Sequence, residues 1–205
     1  GYKFINLITI LAGDSLFLLM VYLMLTSFVL GMGIPTTPAY IVVATLGAPA
    51  LIKAGAPQLV AHMFVFYYAI LSFITPPVCV AAFAGAAIAE SKAMETGFIA
   101  LKLGIVAFIV PYIFAFNNTM LFIGDFGPLD VVQVVLTSSV GMFLIAAGLI
   151  GFMLQKLNIV LRLVSVAAGL MMIHPGALTD VIGIAILIAI LAYQVISEKR
   201  HAATA

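Results

Sequence analysis

The chain has 205 residues, of which 65% are hydrophobic and 7% are charged, with eight Lys or Arg and seven Asp or Glu. A soluble domain carries about 25% charged residues, so these values exclude a water-soluble fold, and a chain this apolar is not disordered. A single Cys excludes a disulfide scaffold, and a net charge of +1 provides no basic surface for nucleic acid.

The hydrophobic residues form long unbroken runs rather than the alternating pattern of outer-membrane β-barrels. Six segments of 17 or more residues contain no Asp, Glu, Lys or Arg: residues 15–52, 54–89, 103–124, 131–155, 163–179 and 181–197. A helix that spans a membrane needs ~20 apolar residues. The runs therefore predict an all-α integral membrane protein.

The two longest runs are each interrupted near the middle by helix-breaking residues. The first carries Gly31, Gly33 and Pro35, and the second carries Thr75-Pro76-Pro77. Proline removes a backbone donor, and lipid cannot satisfy the groups that a break exposes, so such breaks occur where protein buries them or where they line a cavity. Discontinuous helices of this kind form the binding site of many secondary transporters. Simple proline kinks are the alternative, and we interpret Pro111 in that way.

The distribution of charged residues predicts the orientation in the membrane. Under the positive-inside rule, Lys199 and Arg200 place the C-terminus in the cytoplasm, together with the basic 156–162 loop. The acidic 125–130 loop has no Lys or Arg and suits the periplasmic face. His174-Pro175-Gly176 predicts a turn between the last two apolar runs.

Three stretches resemble a known family: residues 30–42, 61–68 and 74–78. They are similar to the large membrane subunit of the tripartite ATP-independent periplasmic (TRAP) transporters, of the fused permease type, and the similarity covers residues 1–124. The resemblance implies a multi-pass secondary transporter of the bacterial inner membrane, driven by a sodium gradient and supplied by a periplasmic binding protein. It also implies an elevator-type fold with re-entrant hairpins and broken helices.

The spacing of the breaks alone leaves open whether 15–52 or 58–89 forms a hairpin. The resemblance implies a re-entrant hairpin at about 8–52, a broken helix at about 58–89 and a helix at about 103–124. Residues 1–124 would then be the C-terminal half of a transport region, and 125–205 an extension of about three transmembrane helices. Small-subunit helices, on the same or another chain, are expected partners within the lipid bilayer.

The family's large subunit is considerably longer than the part matched here. We therefore expect the chain to be the C-terminal part of a longer protein, with a first hairpin and its ion site on a preceding segment.

Backbone carbonyls and hydroxyl oxygens at the two breaks suit a hard cation. The resemblance matches Gly31, Ser72, Thr75 and the Val78 carbonyl to a sodium site, and Gly33 joins them as a second glycine at the first break. The alternative for Ser72 and Thr75 is a hydroxyl bonded to a carbonyl of its own helix, or a small residue that eases helix packing.

Thr36 and Thr37 begin a new half-helix, whose N-terminus carries free N–H groups and a partial positive charge. We expect them, with Pro76 and Pro77, to bind a small organic anion, although the two threonines also suit simple helix capping. Sodium is the expected coupling ion, and no organic cofactor is expected.

The sequence thus predicts sodium-coupled uptake of a small organic acid; the alternatives are an ion channel and a scaffold subunit without its own transport site. An enzyme is not expected. Residues 15–52 contain no His, Asp or Glu, and 54–89 contain only His62, which leaves no nucleophile–base pair or metal-ligand set.

Overall fold

The computed structural model describes residues 7–8, 10–13, 15–173 and 176–204, with side chains up to residue 197. The described part is mostly helical and contains no β-strand, apart from an isolated bridge between Phe152 and Lys156. The all-α prediction is therefore confirmed. The positions of Asp14, His174, Pro175 and the side chains of Lys199 and Arg200, which entered the sequence predictions, lie outside the described residues.

From residue 16 onward, the described part of the chain forms nine α-helices, and short 3-10 turns lie between some of them. The α-helices are α1 (Leu16–Gly31), α2 (Thr36–Lys53), α3 (Gln58–Leu71), α4 (Val80–Ile88), α5 (Ala93–Gly104), α6 (Val110–Phe116), α7 (Pro128–Ile150), α8 (Ile159–Met171) and α9 (Ala177–Thr204); the 3-10 turns are Ser72–Ile74, Ile105–Ile109 and Asn118–Leu121. The chain divides into two compact units, Gly1–Pro111 and Tyr112–Ala205.

In the first unit, α1, α2 and α3 pack together. Gly47 of α2 makes this packing close, because a Cβ at this position would lie 3.1 Å from Leu23 of α1 and 3.3 Å from Val65 of α3. The start of α1 and the end of α2 line one cavity, which places the two helices antiparallel. By contrast, α4 packs against α5 and the Ser72–Ile74 turn. The assignment of a re-entrant hairpin to about 8–52 and of a broken helix to about 58–89 stays a prediction.

The helices stop at both predicted breaks. α1 ends at Gly31 and α2 begins at Thr36, whereas α3 ends at Leu71 and the next α-helix begins at Val80. These two helix ends are confirmed. They follow from local chemistry, because Pro35, Pro76 and Pro77 cannot donate a helical hydrogen bond.

Within the described residues, three helical segments are long and apolar enough to cross a membrane: Ala93–Phe116, Pro128–Ile150 and Ala177–Ser197. The first differs from the predicted helix at 103–124, because it starts ten residues earlier and ends before the polar Asn117. Glu95 and Lys102 do not stop this helix, since both side chains are exposed and Glu95 pairs with Lys92 at 2.7 Å. A run of uncharged residues therefore marks the apolar part of a helix rather than its ends.

In the second unit, α7 packs along α8 through small residues. A Cβ on Gly141 would lie 3.1 Å from the Gly169 carbonyl oxygen, and one on Gly148 would lie 2.7 Å from the Arg162 carbonyl oxygen. Glycines at such positions let membrane helices approach closely. The Arg162 side chain also closes the end of α7, donating to the Gly148 carbonyl at 2.9 Å and to the Leu149 carbonyl at 2.8 Å.

Candidate functional site

The first break is a four-residue link between α1 and α2. Met32 and Pro35 are extended, and Gly33 has φ +72, a left-handed conformation that glycine adopts without strain. Pro35 is the N-cap residue of α2 and makes no side-chain capping bond. The first amide of α2 to bond within the helix is that of Ala39, which donates to the Pro35 carbonyl. The amides of Thr36 and Thr37 are thus the first-turn donors of this helix, since Pro38 has none.

The second break begins with the 3-10 turn Ser72–Ile74 and continues through extended Thr75. The Pro76–Pro77 peptide bond is cis. Ser72 is buried and Thr75 is half-buried, whereas Val78 is exposed. Thr75 Oγ1 donates to the Leu71 carbonyl at 2.7 Å, so its hydrogen stays within its own helix end. The lone pairs of this oxygen are not used by that bond.

The two breaks meet at Gly31 and Ser72. Ser72 Oγ lies 3.0 Å from the Gly31 carbonyl oxygen and 2.6 Å from that of Ala69. Because a hydroxyl has one hydrogen, Ser72 donates to one of these carbonyls at a time. The contact requires glycine, since a Cβ on residue 31 would lie 2.7 Å from Ser72 Oγ.

A second point of approach joins the same two breaks. A Cβ on Gly33 would lie 3.4 Å from Val78 Cγ1. Four of the five predicted ion-site residues therefore lie in pairs across the breaks, and the fifth, Thr75, lies between Ser72 and Val78 in the chain. The predicted approach of the two breaks is confirmed. Ion binding by these residues stays a prediction.

The predicted substrate residues lie beside this junction along the chain. Thr36 is half-buried and Thr37 is exposed, and neither hydroxyl forms a hydrogen bond within the described part of the chain. Neither threonine occupies the N-cap position, which belongs to Pro35. Pro76 is half-buried and Pro77 is exposed. Their role in substrate binding also stays a prediction.

A third helix interruption contacts this region, and sequence reasoning missed it. Residues Ile105–Ile109 form a 3-10 turn just before Pro111. In a 3-10 helix the carbonyl of Phe108 would accept from residue 111, which has no N–H. The hydroxyl of Tyr68 donates to this carbonyl instead. Tyr68 is fully buried and lies four residues before Ser72, so both side chains lie on the same face of α3.

Aromatic rings surround this bond. Phe28 of α1 packs edge-on against Tyr68 with ring centroids 5.5 Å apart, and it also contacts Phe108 at 5.2 Å. Phe28 thus packs against both partners of the Tyr68–Phe108 bond. Two features of the sequence could have indicated this contact: the four-residue spacing of Tyr68 and Ser72, and the position of Pro111.

His62 is partnered away from the breaks. Its Nδ1 lies 2.9 Å from the Tyr40 hydroxyl, which ties α2 to α3, and the side chain is half-buried. Among the described residues no group of three or more His, Cys, Asp or Glu could hold a metal ion. The oxygens at the junction are instead neutral carbonyls and hydroxyls, which suit a monovalent cation better than a transition metal.

Residues 1–128 match the family of the tripartite ATP-independent periplasmic transporter, DctM component. The chain belongs to this family. No curated protein and no solved structure matches it. The family match covers both breaks and the Ile105–Ile109 turn, and residues 129–205 lie beyond it. This membrane protein is thus a component of a TRAP-type secondary transporter, as the resemblance predicted.

Proposed function

We propose that this DctM-family chain carries part of the transport site for sodium-coupled uptake of a small organic acid. The single observation that carries the proposal is the contact between Ser72 and Gly31, which joins two helix breaks that are far apart in the sequence. Broken helices expose carbonyls and N–H groups, and transporters use these groups to bind ions and substrates.

The coupling ion in this proposal is sodium rather than the proton. Proton-coupled carriers generally use an intramembrane Asp, Glu or His. The segments 15–52 and 54–89 contain one such residue, His62, and it is bonded to Tyr40. The Gly31 and Ser72 oxygens, with those of Thr75, Gly33 and Val78, supply the neutral hard ligands that a sodium ion prefers.

The substrate in this proposal is a carboxylate held without a basic side chain. Neither broken segment carries a Lys or Arg. The first turn of α2 instead offers the N–H groups of Thr36 and Thr37 and the positive end of an 18-residue helix. Pro76 and Pro77 would form part of the wall that faces the substrate.

The transporter would act in the bacterial inner membrane with its C-terminus in the cytoplasm. A periplasmic binding protein would deliver the substrate, and small-subunit helices would accompany this chain. The basic residues Lys156 and Arg162, around the start of α8, and the acidic residues Asp125 and Asp130, around the start of α7, support this orientation.

Uptake in proteoliposomes tests the proposal. The transporter, purified with its partner subunits and supplied with loaded binding protein, should take up substrate in response to an inward sodium gradient at fixed pH. Uptake should saturate with sodium and stay at background in sodium-free buffer, even with a pH gradient. Uptake driven by pH alone would contradict sodium coupling, whereas non-saturable flux would indicate a channel.

A further inference from the structure

The second unit contains a buried carboxylate that the proposed transport site does not use. Asp180, in the first turn of α9, is 7% exposed. Its described hydrogen-bond partner is Gln133 of α7, whose Nε2 lies 3.3 Å from Oδ2, just beyond the usual range for such bonds. Ionisable groups inside membrane proteins are costly and are usually paired or functional.

No described cation balances this carboxylate. Among the described side chains the ion pair is that of Lys92 with Glu95, in the other unit. One neutral amide at 3.3 Å and the N-terminal end of α9 offset only part of the charge of this buried carboxylate. A bound counterion would offset the remainder.

A small polar cavity of about 50 Å³ lies beside Asp180. A cavity of this size exceeds what one water needs, so it has room for a small ion. Its polar lining comes from three elements that meet at this end of the unit: Asn117, Gln133, Thr137, Ser138, Gly176 and Asp180. Hydroxyl, amide and carboxylate oxygens of this kind are ligands for hard cations.

We infer that Asp180 and this cavity bind one monovalent cation, such as sodium. A single carboxylate balances a single positive charge, and the described residues contain no group of three or more His, Cys, Asp or Glu for a more highly charged or softer metal.

The ion would hold together the elements that line the cavity. Gln133, Thr137 and Ser138 lie near the start of α7, Met172 and Ile173 follow α8, and Gly176 and Asp180 lie at the start of α9. If the cation binds only while these elements are packed together, it lowers the population of molecules in which they have separated. At a cation concentration of ten times Kd, that separated population falls about tenfold. The site would therefore stabilise this end of the second unit and would be separate from the transport site.

Hydrogen–deuterium exchange with mass spectrometry on the purified transporter tests the inference. Exchange is compared in sodium, potassium and N-methylglucamine chloride at equal ionic strength, with a further arm containing calcium. Peptides covering 128–140 and 176–186 should exchange about tenfold more slowly in saturating sodium or potassium. Peptides covering 28–36 and 69–80 report separately on the transport site, so the two proposals can fail independently.

Asp180→Asn keeps the shape and removes the charge, and it should abolish the protection of 128–140 and 176–186. Asp125→Asn, at an exposed carboxylate of the same unit, is the matched control and should keep it. If Asp180→Asn does not fold, Thr137→Val should shift half-protection to higher sodium. Equal exchange in all salts, protection by calcium alone, or sodium protection that survives Asp180→Asn would each overturn the inference.

Discussion

Gly31 and Ser72 lie in direct contact although 41 positions separate them, with the serine hydroxyl 3.0 Å from the glycine carbonyl oxygen. The contact joins the end of α1 to the 3-10 turn after α3. A shift in either helix end would change this distance, so the two breaks are coupled through one serine and one glycine.

Gly31→Ala should reduce sodium-driven uptake roughly tenfold or more, because its Cβ would lie 2.7 Å from Ser72 Oγ and overpacking costs about 1–3 kcal/mol. Adding Ser72→Gly removes the hydroxyl that the new Cβ would crowd. The double variant should therefore recover surface expression and part of the packing stability that Gly31→Ala loses. Gly85→Ala is the matched control, because a Cβ there meets nothing within 4 Å. Normal uptake by Gly31→Ala would show that the contact is dispensable.

Thr75→Ala should raise the sodium concentration for half-maximal uptake by roughly tenfold to a hundredfold, since losing a polar contact in a buried site costs about 1–3 kcal/mol. Sodium titration of uptake measures this. Thr45→Ala is the control, because Thr45 also donates to a carbonyl of its own helix, at 2.9 Å, but is exposed. An unchanged half-saturation in Thr75→Ala would mean that this hydroxyl serves only its bond to Leu71.

Tyr68→Phe should lower the free energy of unfolding of the purified protein by about 1–3 kcal/mol, because it leaves the Phe108 carbonyl without the hydroxyl donor. The apparent melting temperature in detergent measures the effect. Tyr193→Phe, at a 58% exposed tyrosine, should leave it unchanged. Equal melting temperatures for both variants would contradict a stabilising role for the bond.

Arg162→Lys should destabilise the second unit by about 1 kcal/mol while preserving membrane orientation. Lysine keeps the charge that favours the cytoplasmic side, but it cannot reproduce the two bonds to the Gly148 and Leu149 carbonyls. Exchange rates at the end of α7 report the stability, and cysteine labelling of the 151–157 loop reports the orientation. A changed membrane orientation together with unchanged hydrogen exchange in α7 would show that Arg162 sets the orientation rather than the stability of this unit.

Cysteines at Ser15 and Ala54 should react with an impermeant reagent from the same side of the membrane. Both residues line a cavity of about 280 Å³ between the start of α1 and the end of α2, as a hairpin requires. Cys79→Ala removes the single cysteine of these 205 residues from the background. Labelling of the two positions from opposite faces would exclude a re-entrant hairpin over 15–52.

The helix breaks could be predicted from sequence because proline and glycine act locally. Pro35 and Pro76 each remove a helical donor beside glycine, hydroxyl or further proline residues, whereas Pro49 alone is tolerated inside α2. The contact between Gly31 and Ser72 depends on how separate helices pack, which single-residue chemistry does not determine; the family resemblance was needed to pair them. The sequence also could not show why residue 31 is glycine, and the structure attributes it to close approach rather than to a positive φ.

Two features were missed for related reasons. Pro111 was interpreted as a simple kink, whereas the preceding residues form a 3-10 turn whose Phe108 carbonyl is bonded by Tyr68. Asp180 ended an apolar run and was treated only as a boundary, although it is buried beside a polar cavity. In both cases the partner lies on another helix, so the pairing is not apparent along the chain.

The absence of acidic and basic side chains from 15–52 and 54–89 has an electrical consequence. If a sodium ion binds at the Gly31–Ser72 junction, these segments contribute no fixed charge to cancel it. The loaded site would carry the full ionic charge through the membrane field, worth about 2.3 kcal/mol per 100 mV for a complete crossing. A negative interior would then draw the loaded site inward, and turnover would produce a measurable current unless a substrate anion travels with the ion in equal number.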